Sequence, residues 1–200
     1  VGYANERTND NGRTKQTKGD TVELNAKTEG GESNYGVDIS HKNILDMKNG
    51  AKIERDTNYH LGLTKGDGQG ITGGNFFWEK ISDDTAMDGW TYFERQKIGG
   101  GYKNNADTFG INLSYETETD INNNDIEHPN TYHQDSNYKI AYERDKNTGD
   151  QTFSATGDHN HSSEDDNKAE SASNSFEAKY TTGEGGQSFN SSFAKASQSL

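Results

Sequence analysis

Apolar and polar residues alternate along almost the whole chain. Val22, Leu24 and Ala26 are separated by Glu23 and Asn25, Tyr35, Val37 and Ile39 by Gly36 and Asp38, and Tyr59, Leu61 and Leu63 by His60 and Gly62. The clearest run is Phe109, Ile111, Leu113 and Tyr115, interleaved with Gly110, Asn112 and Ser114. Tyr138-Ile140-Tyr142, Phe153-Ala155 and Phe176-Ala178-Tyr180 repeat the pattern. Successive side chains of an extended strand point to opposite faces, so a period of two with one apolar set marks a half-buried antiparallel strand. About ten to twelve such segments are present, separated by Gly-, Asn- and Asp-rich turns.

Those turns include Asp10-Asn11-Gly12, Asn49-Gly50, Lys65-Gly66-Asp67-Gly68, Asn147-Thr148-Gly149 and Gly183-Glu184-Gly185-Gly186. All supply residues that tolerate positive φ. Their spacing leaves no room for crossover helices and excludes a parallel βαβ design. The pattern therefore predicts an all-β fold: an antiparallel up-and-down barrel, or a two-layer sandwich, of short strands in a single domain over residues 1–200. Lys42 to Asn49, with Ile44, Leu45 and Met47, is the one helical candidate. Residues 120–134, which hold the single proline Pro129, and residues 158–172 lack an apolar period and are expected as long polar loops.

Composition pulls the other way. Leu, Ile, Val and Phe number only 27 of 200 residues, the formal charge is −13 and the mean hydropathy is −1.20. Taken as bulk values these belong to disordered chains. Placed along the chain, the same residues fall at every second position and predict a thin core supplemented by ten Tyr, eight Phe and two Trp. No run approaches the roughly 20 apolar residues of a helical membrane span.

Charge and chemistry narrow the partners. With 33 acidic against 20 basic residues and no basic cluster, nucleic acid is a poor partner, and so is an anionic membrane surface. No cysteine is present, so neither disulfides nor thiolate metal sites are available. The chain opens at Val1 without a charged and apolar leader, which fits a processed or excised piece, and the polarity favours an extracellular or cell-surface location. No Gly-x-Ser-x-Gly elbow occurs, and Gly66-Asp67-Gly68-Gln69-Gly70 lacks the Lys-Ser/Thr of a phosphate loop, so the expectation is a non-enzymatic protein.

Three groups of side chains are the candidate sites. Phe76, Phe77 and Trp78, with Trp90, Tyr92 and Phe93, concentrate aromatics on two neighbouring strands; consecutive rings cannot share a face, which suggests a ligand groove or an interface. Asn5-Glu6-Arg7, Ile53-Glu54-Arg55, Phe93-Glu94-Arg95 and Tyr142-Glu143-Arg144 form a weak repeat; strands running up and down would gather these Glu-Arg steps, Glu54, Arg55, Glu94, Arg95, Glu143 and Arg144 among them, at one charged rim. His159 and His161 would share a strand face near Glu164, Asp165 and Asp166, and imidazole with carboxylate suits zinc or nickel; His128 and His133 flank Pro129. Asp20, Asp67, Asp107 and Asp120 leave room for loosely bound calcium, without the spacing of an EF-hand, and no other cofactor is expected.

The leading expectation is an exported, soluble binding or structural barrel that holds a small apolar ligand or self-associates. The alternative inverts the faces: a bacterial outer-membrane barrel, channel or surface protein, with the apolar side toward lipid. A third reading comes from the hairpins Asn9-Asp10-Asn11-Gly12-Arg13 and Ile98-Gly99-Gly100-Gly101-Tyr102 of this Cys-free chain, which are similar in style to the insect attacin antibacterial proteins. That resemblance implies host defence, and the charge of −13 counts against direct attraction to anionic bacterial surfaces. Replacing Ile111 or Leu113 with Asp is expected to abolish the β-type circular dichroism spectrum, whereas Asp at Asn112 or Ser114 leaves it nearly unchanged.

Overall fold

The alternation carries through into eleven strands in a computed structural model that describes residues 1–66, 70–86, 89–123, 130–165 and 168–199. The strands are β1 (Gly2–Asp10), β2 (Thr14–Glu29), β3 (Glu32–Met47), β4 (Lys52–Lys65), β5 (Ile71–Thr85) and β6 (Thr91–Asn104). They continue with β7 (Thr108–Asn123), β8 (Asn130–Asp145), β9 (Gln151–Asp165), β10 (Lys168–Gly183) and β11 (Gly186–Ser199). All join in chain order into one antiparallel up-and-down sheet, as expected. Every ladder links sequence neighbours, and none joins β1 to β11 among the described residues.

Three local expectations are corrected. Ten of the eleven strands are 14–16 residues long rather than short, because backbone N–H and C=O groups pair whatever side chains they carry, and the polar flanks extend each ladder. For the same reason most of 120–134 is strand, β7 running to Asn123 and β8 starting at Asn130, and 158–172 is strand up to Asp165 and again from Lys168. Lys42–Met47 is the end of β3, not a helix: an isolated eight-residue helix is marginal, whereas here Asn43 and Leu45 are partnered on both sides by β2 and β4. Asp67, Gly68, Gln69, His128, Pro129 and Asp166 lie outside the described residues.

The hairpin turns fix the register. Glu29 pairs with Glu32 around Gly30-Gly31, both at positive φ (59° and 87°), the conformation whose twist matches a two-residue hairpin. At other turns a side chain substitutes for a backbone acceptor: Asn11 Oδ1 accepts from the N–H of Arg13 (3.0 Å) and Thr14 (2.9 Å), and Asn105 Oδ1 from Asp107 (3.1 Å) and Thr108 (2.7 Å). One register shift, at Thr64/Lys65, interrupts the β4–β5 ladder.

Some glycines inside the sheet are roofed by large neighbours. A Cβ at Gly157 would stand 2.2 Å from the Phe176 ring and 2.7 Å from the Tyr138 ring, the two residues paired with it from β10 and β8. Cross-strand aromatics thus fill what the glycine leaves open. Gly157→Val is expected to lower unfolding stability by about 1–3 kcal/mol through overpacking. At Gly183 the closest group is the Asp150 carboxylate, the end of a side chain that can swing away, with the Asp150 Cα at 3.3 Å, so Gly183→Ala should cost less. Denaturant titrations followed by circular dichroism compare the two.

Candidate functional site

Because the strands stay in register, their apolar positions line up across the sheet. Leu24, Val37, Leu61 and Phe76 are successive partners from β2 to β5, and the row continues through Gly100, Leu113, Ile140, Ala155 and Ala178. Two residues along each strand on one side lies a second row, holding Tyr35, Tyr102, Tyr142, Phe153, Tyr180 and Phe189. On the other side a third row holds Tyr3, Tyr59, Trp78, Tyr115, Tyr138, Phe176 and Phe193. A mainly aliphatic line is thus bordered by aromatics along both edges, all on one face. Among the described residues nothing covers it, so the thin core that the alternation predicts is not formed: no hydrophobic side chain is buried, and Leu61, Leu113 and Ile140 are 53%, 48% and 57% exposed.

The other face at the same level is polar. It presents Glu23, Asp38, His60, Lys139, Glu177 and Lys179 among small residues such as Gly99, Ser114 and Thr156. Asp38 joins its neighbours by accepting from Asn25 Nδ2 (2.9 Å) and pairing with His60 Nδ1 (2.6 Å). Phe77, a large aromatic on this face, is accommodated by stacking on His60 (ring centroids 5.1 Å apart, interplanar angle 12°) with Lys97 Nζ 5.0 Å above its ring.

The predicted aromatic cluster therefore divides. Phe76 and Trp78 belong to the band, Phe77 and Phe93 face the polar side, and Trp90 and Tyr92 stand at the far end of the β5–β6 hairpin, where Tyr92 donates to Glu94 (2.9 Å). A trough of about 690 Å³ on the band face runs from Phe76 on β5 to Phe189 on β11, across Ile111, Leu113 and Ile140.

The charged rim is corrected in part. Arg7, Arg55 and Glu94 lie at one level, connected through partners Lys18, Asn43 and Ser82. Glu143 and Arg144 fall at the opposite end, because β8 runs in the same direction as β4 and β6 and carries its Glu-Arg step at its finish rather than its start. At the shared end Arg55 makes a two-pronged pair with Asp84 (Nη2 to Oδ2 2.7 Å), Arg95 meets Glu118 (3.3 Å), and Glu54 takes both Lys42 and Lys52.

His159 and His161 do share a strand face, but each has an organic neighbour: His159 Nδ1 bonds Ser136 Oγ (2.8 Å) and His161 packs on the Tyr132 ring (5.1 Å). His133 lies between Asp120 and Asp135. No group of three or more His, Asp or Glu is arranged for a metal among the described residues. Asp20 pairs with His41, and Asp107 accepts from Asn147 Nδ2 (3.1 Å). The three-row band is what the spacing of single segments did not reveal, although Tyr138-Ile140-Tyr142 and Phe176-Ala178-Tyr180 each contain one complete column of it.

No family model matches the chain, and no curated protein matches it. Among solved structures, the β domain of the Bordetella autotransporter Brka is similar over 98% of this chain and 95% of that one, at 12% identity and a TM-score of 0.24. No helix among the described residues is long and apolar enough to cross a membrane, a statement that does not bear on crossing by strands.

At the β8–β9 turn the Asp145 carboxylate accepts from the N–H of Asn147 (2.7 Å) and Thr148 (3.0 Å), and these bonds hold its pKa below the usual carboxylate value. A depressed folded pKa gives stability that is present above the unfolded carboxylate value of about 4 and lost as pH falls through the folded value. Asp145→Asn is therefore expected to be less stable than the natural chain at neutral pH, with the gap closing in acid, as read by thermal melts across a pH series.

Proposed function

We propose that this chain forms the wall of a bacterial outer-membrane β-barrel, a channel or surface protein, with its aromatic-edged apolar band toward lipid and its charged face toward water. The observation that carries this reading is the uncovered band, which runs from β2 to β10 and has no partner among the described residues. Aliphatic centre and aromatic borders match the two environments a bilayer offers, hydrocarbon in the middle and headgroups at either side.

Dimensions support it. Strands of 14–16 residues exceed the roughly 9–11 needed to cross. On the band face the first charged levels are those of Asp20, His41 and Lys80 beyond Tyr59, and of Lys65 and Arg144 beyond Tyr142. Eight residues separate these levels, about 27 Å along the strand, or about 20 Å after a tilt near 40°. That is somewhat less than the usual band of about 25 Å, and the long Lys and Arg side chains bordering it can reach outward to the headgroups.

The soluble ligand-binding reading fits the band less well. A small ligand in the trough would cover β5 to β11 and leave Leu24, Val37 and Leu61 in water.

Ile140→Arg separates the two. On a lipid-facing wall it is expected to cost about 2–4 kcal/mol and to weaken insertion. On a soluble sheet, where Ile140 is already more than half exposed, it should be almost neutral. Flotation with phosphatidylcholine vesicles reads the result: the natural chain should float and resist added protease. A chain that is folded, monomeric and non-floating in plain buffer overturns the proposal.

A further inference from the structure

We infer that the borders of the apolar band bind the phosphate headgroups of anionic lipids, an inference that rests on the membrane reading above. The charge of −13 belongs to the chain as a whole and is not shared evenly between the two faces. On the band face Arg7, Lys18, Lys80 and Lys195 stand within two steps beyond the row of Tyr59, Trp78 and Tyr138, and Lys65 and Arg144 stand one step beyond the row of Tyr35 and Tyr142. All six are exposed, and none makes a hydrogen bond or ion pair with a described residue. The acids at these levels are already matched: Asp20 pairs with His41 (2.6 Å), and Glu94 accepts from Tyr92 (2.9 Å) and Gln96 (2.7 Å). Acids without such partners, Glu23, Glu116, Asp158 and Glu177 among them, lie on the polar face. The unmatched charge bordering the band is therefore positive, within a chain that is strongly negative.

A lipid that fits these borders lays its chains against the band and sets a net negative headgroup at its edge. Lys80 follows Trp78 by two residues on the same face, about 7 Å further along the strand. Arg144 follows Tyr142, and Lys65 follows Leu63, in the same way. In such a position the aliphatic stem of Lys or Arg lies along hydrocarbon while the cation reaches the headgroup. A guanidinium can grip phosphate through two parallel hydrogen bonds, and an ammonium holds it as a point charge. A zwitterionic headgroup offers the same phosphate with a choline cation beside it, so a headgroup of net negative charge is held more tightly. The acids of the polar face are separated from these headgroups by the sheet itself.

Trp78 stands beside Lys80 and reports which lipid lies next to it. With Trp90→Phe it is the one tryptophan left of the two in the chain. This full-length chain is placed in vesicles of phosphatidylcholine mixed with phosphatidylglycerol, one lipid or the other carrying bromine on its chains to quench tryptophan fluorescence on contact. Phosphatidylglycerol should bind beside Trp78 about fivefold more tightly than phosphatidylcholine at low salt, the effect of one basic side chain near a membrane surface. At about 1 M salt, where charges are screened beyond about 3 Å, the preference should fall toward one. Lys80→Gln should abolish it, whereas Lys139→Gln, which removes the same charge from the polar face, should leave it in place. Equal binding of the two lipids, a preference that survives Lys80→Gln, or one lost equally with Lys139→Gln overturns the headgroup site and leaves the membrane reading standing. Absence of quenching by either lipid overturns the membrane reading, and the headgroup site with it.

Discussion

Everything distinctive in this molecule depends on strand register. A sheet has two faces because successive side chains point opposite ways, and a slip of one residue between neighbours exchanges the faces from that point onward. Eleven strands remain in step, so that Leu24 on β2 and Ala178 on β10 belong to one row. The devices that hold them are local: the positive-φ pair Gly30-Gly31, the Asn11 and Asn105 side chains bonded within their turns, and the aromatic rings closing over Gly157. Each acts on one hairpin or one neighbouring pair, and their sum is a band that spans the sheet.

The polar face obeys the same constraint with different chemistry. A formal charge of −13 repels itself, and acids stand directly opposite one another at Glu23/Asp38, Glu54/Asp83 and Glu118/Asp135, yet several carboxylates are offset by polar or basic partners. Asp38 is flanked by Asn25 and His60, and Glu54 by two lysines. These pairs are partly exposed, and each adds little stability by itself. Their larger effect is on placement, because a charged residue shifted to the band face would have neither a partner nor a favourable environment there.

The strands, their direction and their turns were legible because period-two alternation is a local property, as at Phe109–Tyr115. The band was not, because it is a relation among residues tens of positions apart, and Tyr102, Ile111 and Tyr142 become neighbours only once three strands are aligned. The same gap explains the misread loops. Polar stretches such as Asp158–Asp165 look structureless when hydrophobicity is the signal, while their backbones pair as well as any. The Glu-Arg repeat breaks at Glu143-Arg144 for a related reason: a tripeptide does not show whether it opens or ends its strand. His159 and His161 share a face, as their spacing required, but sequence distance could not supply Ser136 and Tyr132 beside them.

Covering a face and covering an edge are separate physical problems. Lipid can solvate the band, since apolar side chains gain by leaving water. It cannot satisfy the backbone groups along an edge strand, and each such group left unpaired in hydrocarbon costs several kcal/mol. A sheet seated in a bilayer by its band therefore needs hydrogen-bonding partners for β1 and β11 as well. In water the order of urgency is reversed, because the edges can bond to solvent while the band cannot be hydrated favourably. The environment that best accommodates the band is thus the one that most strongly demands partners for the sheet's edges.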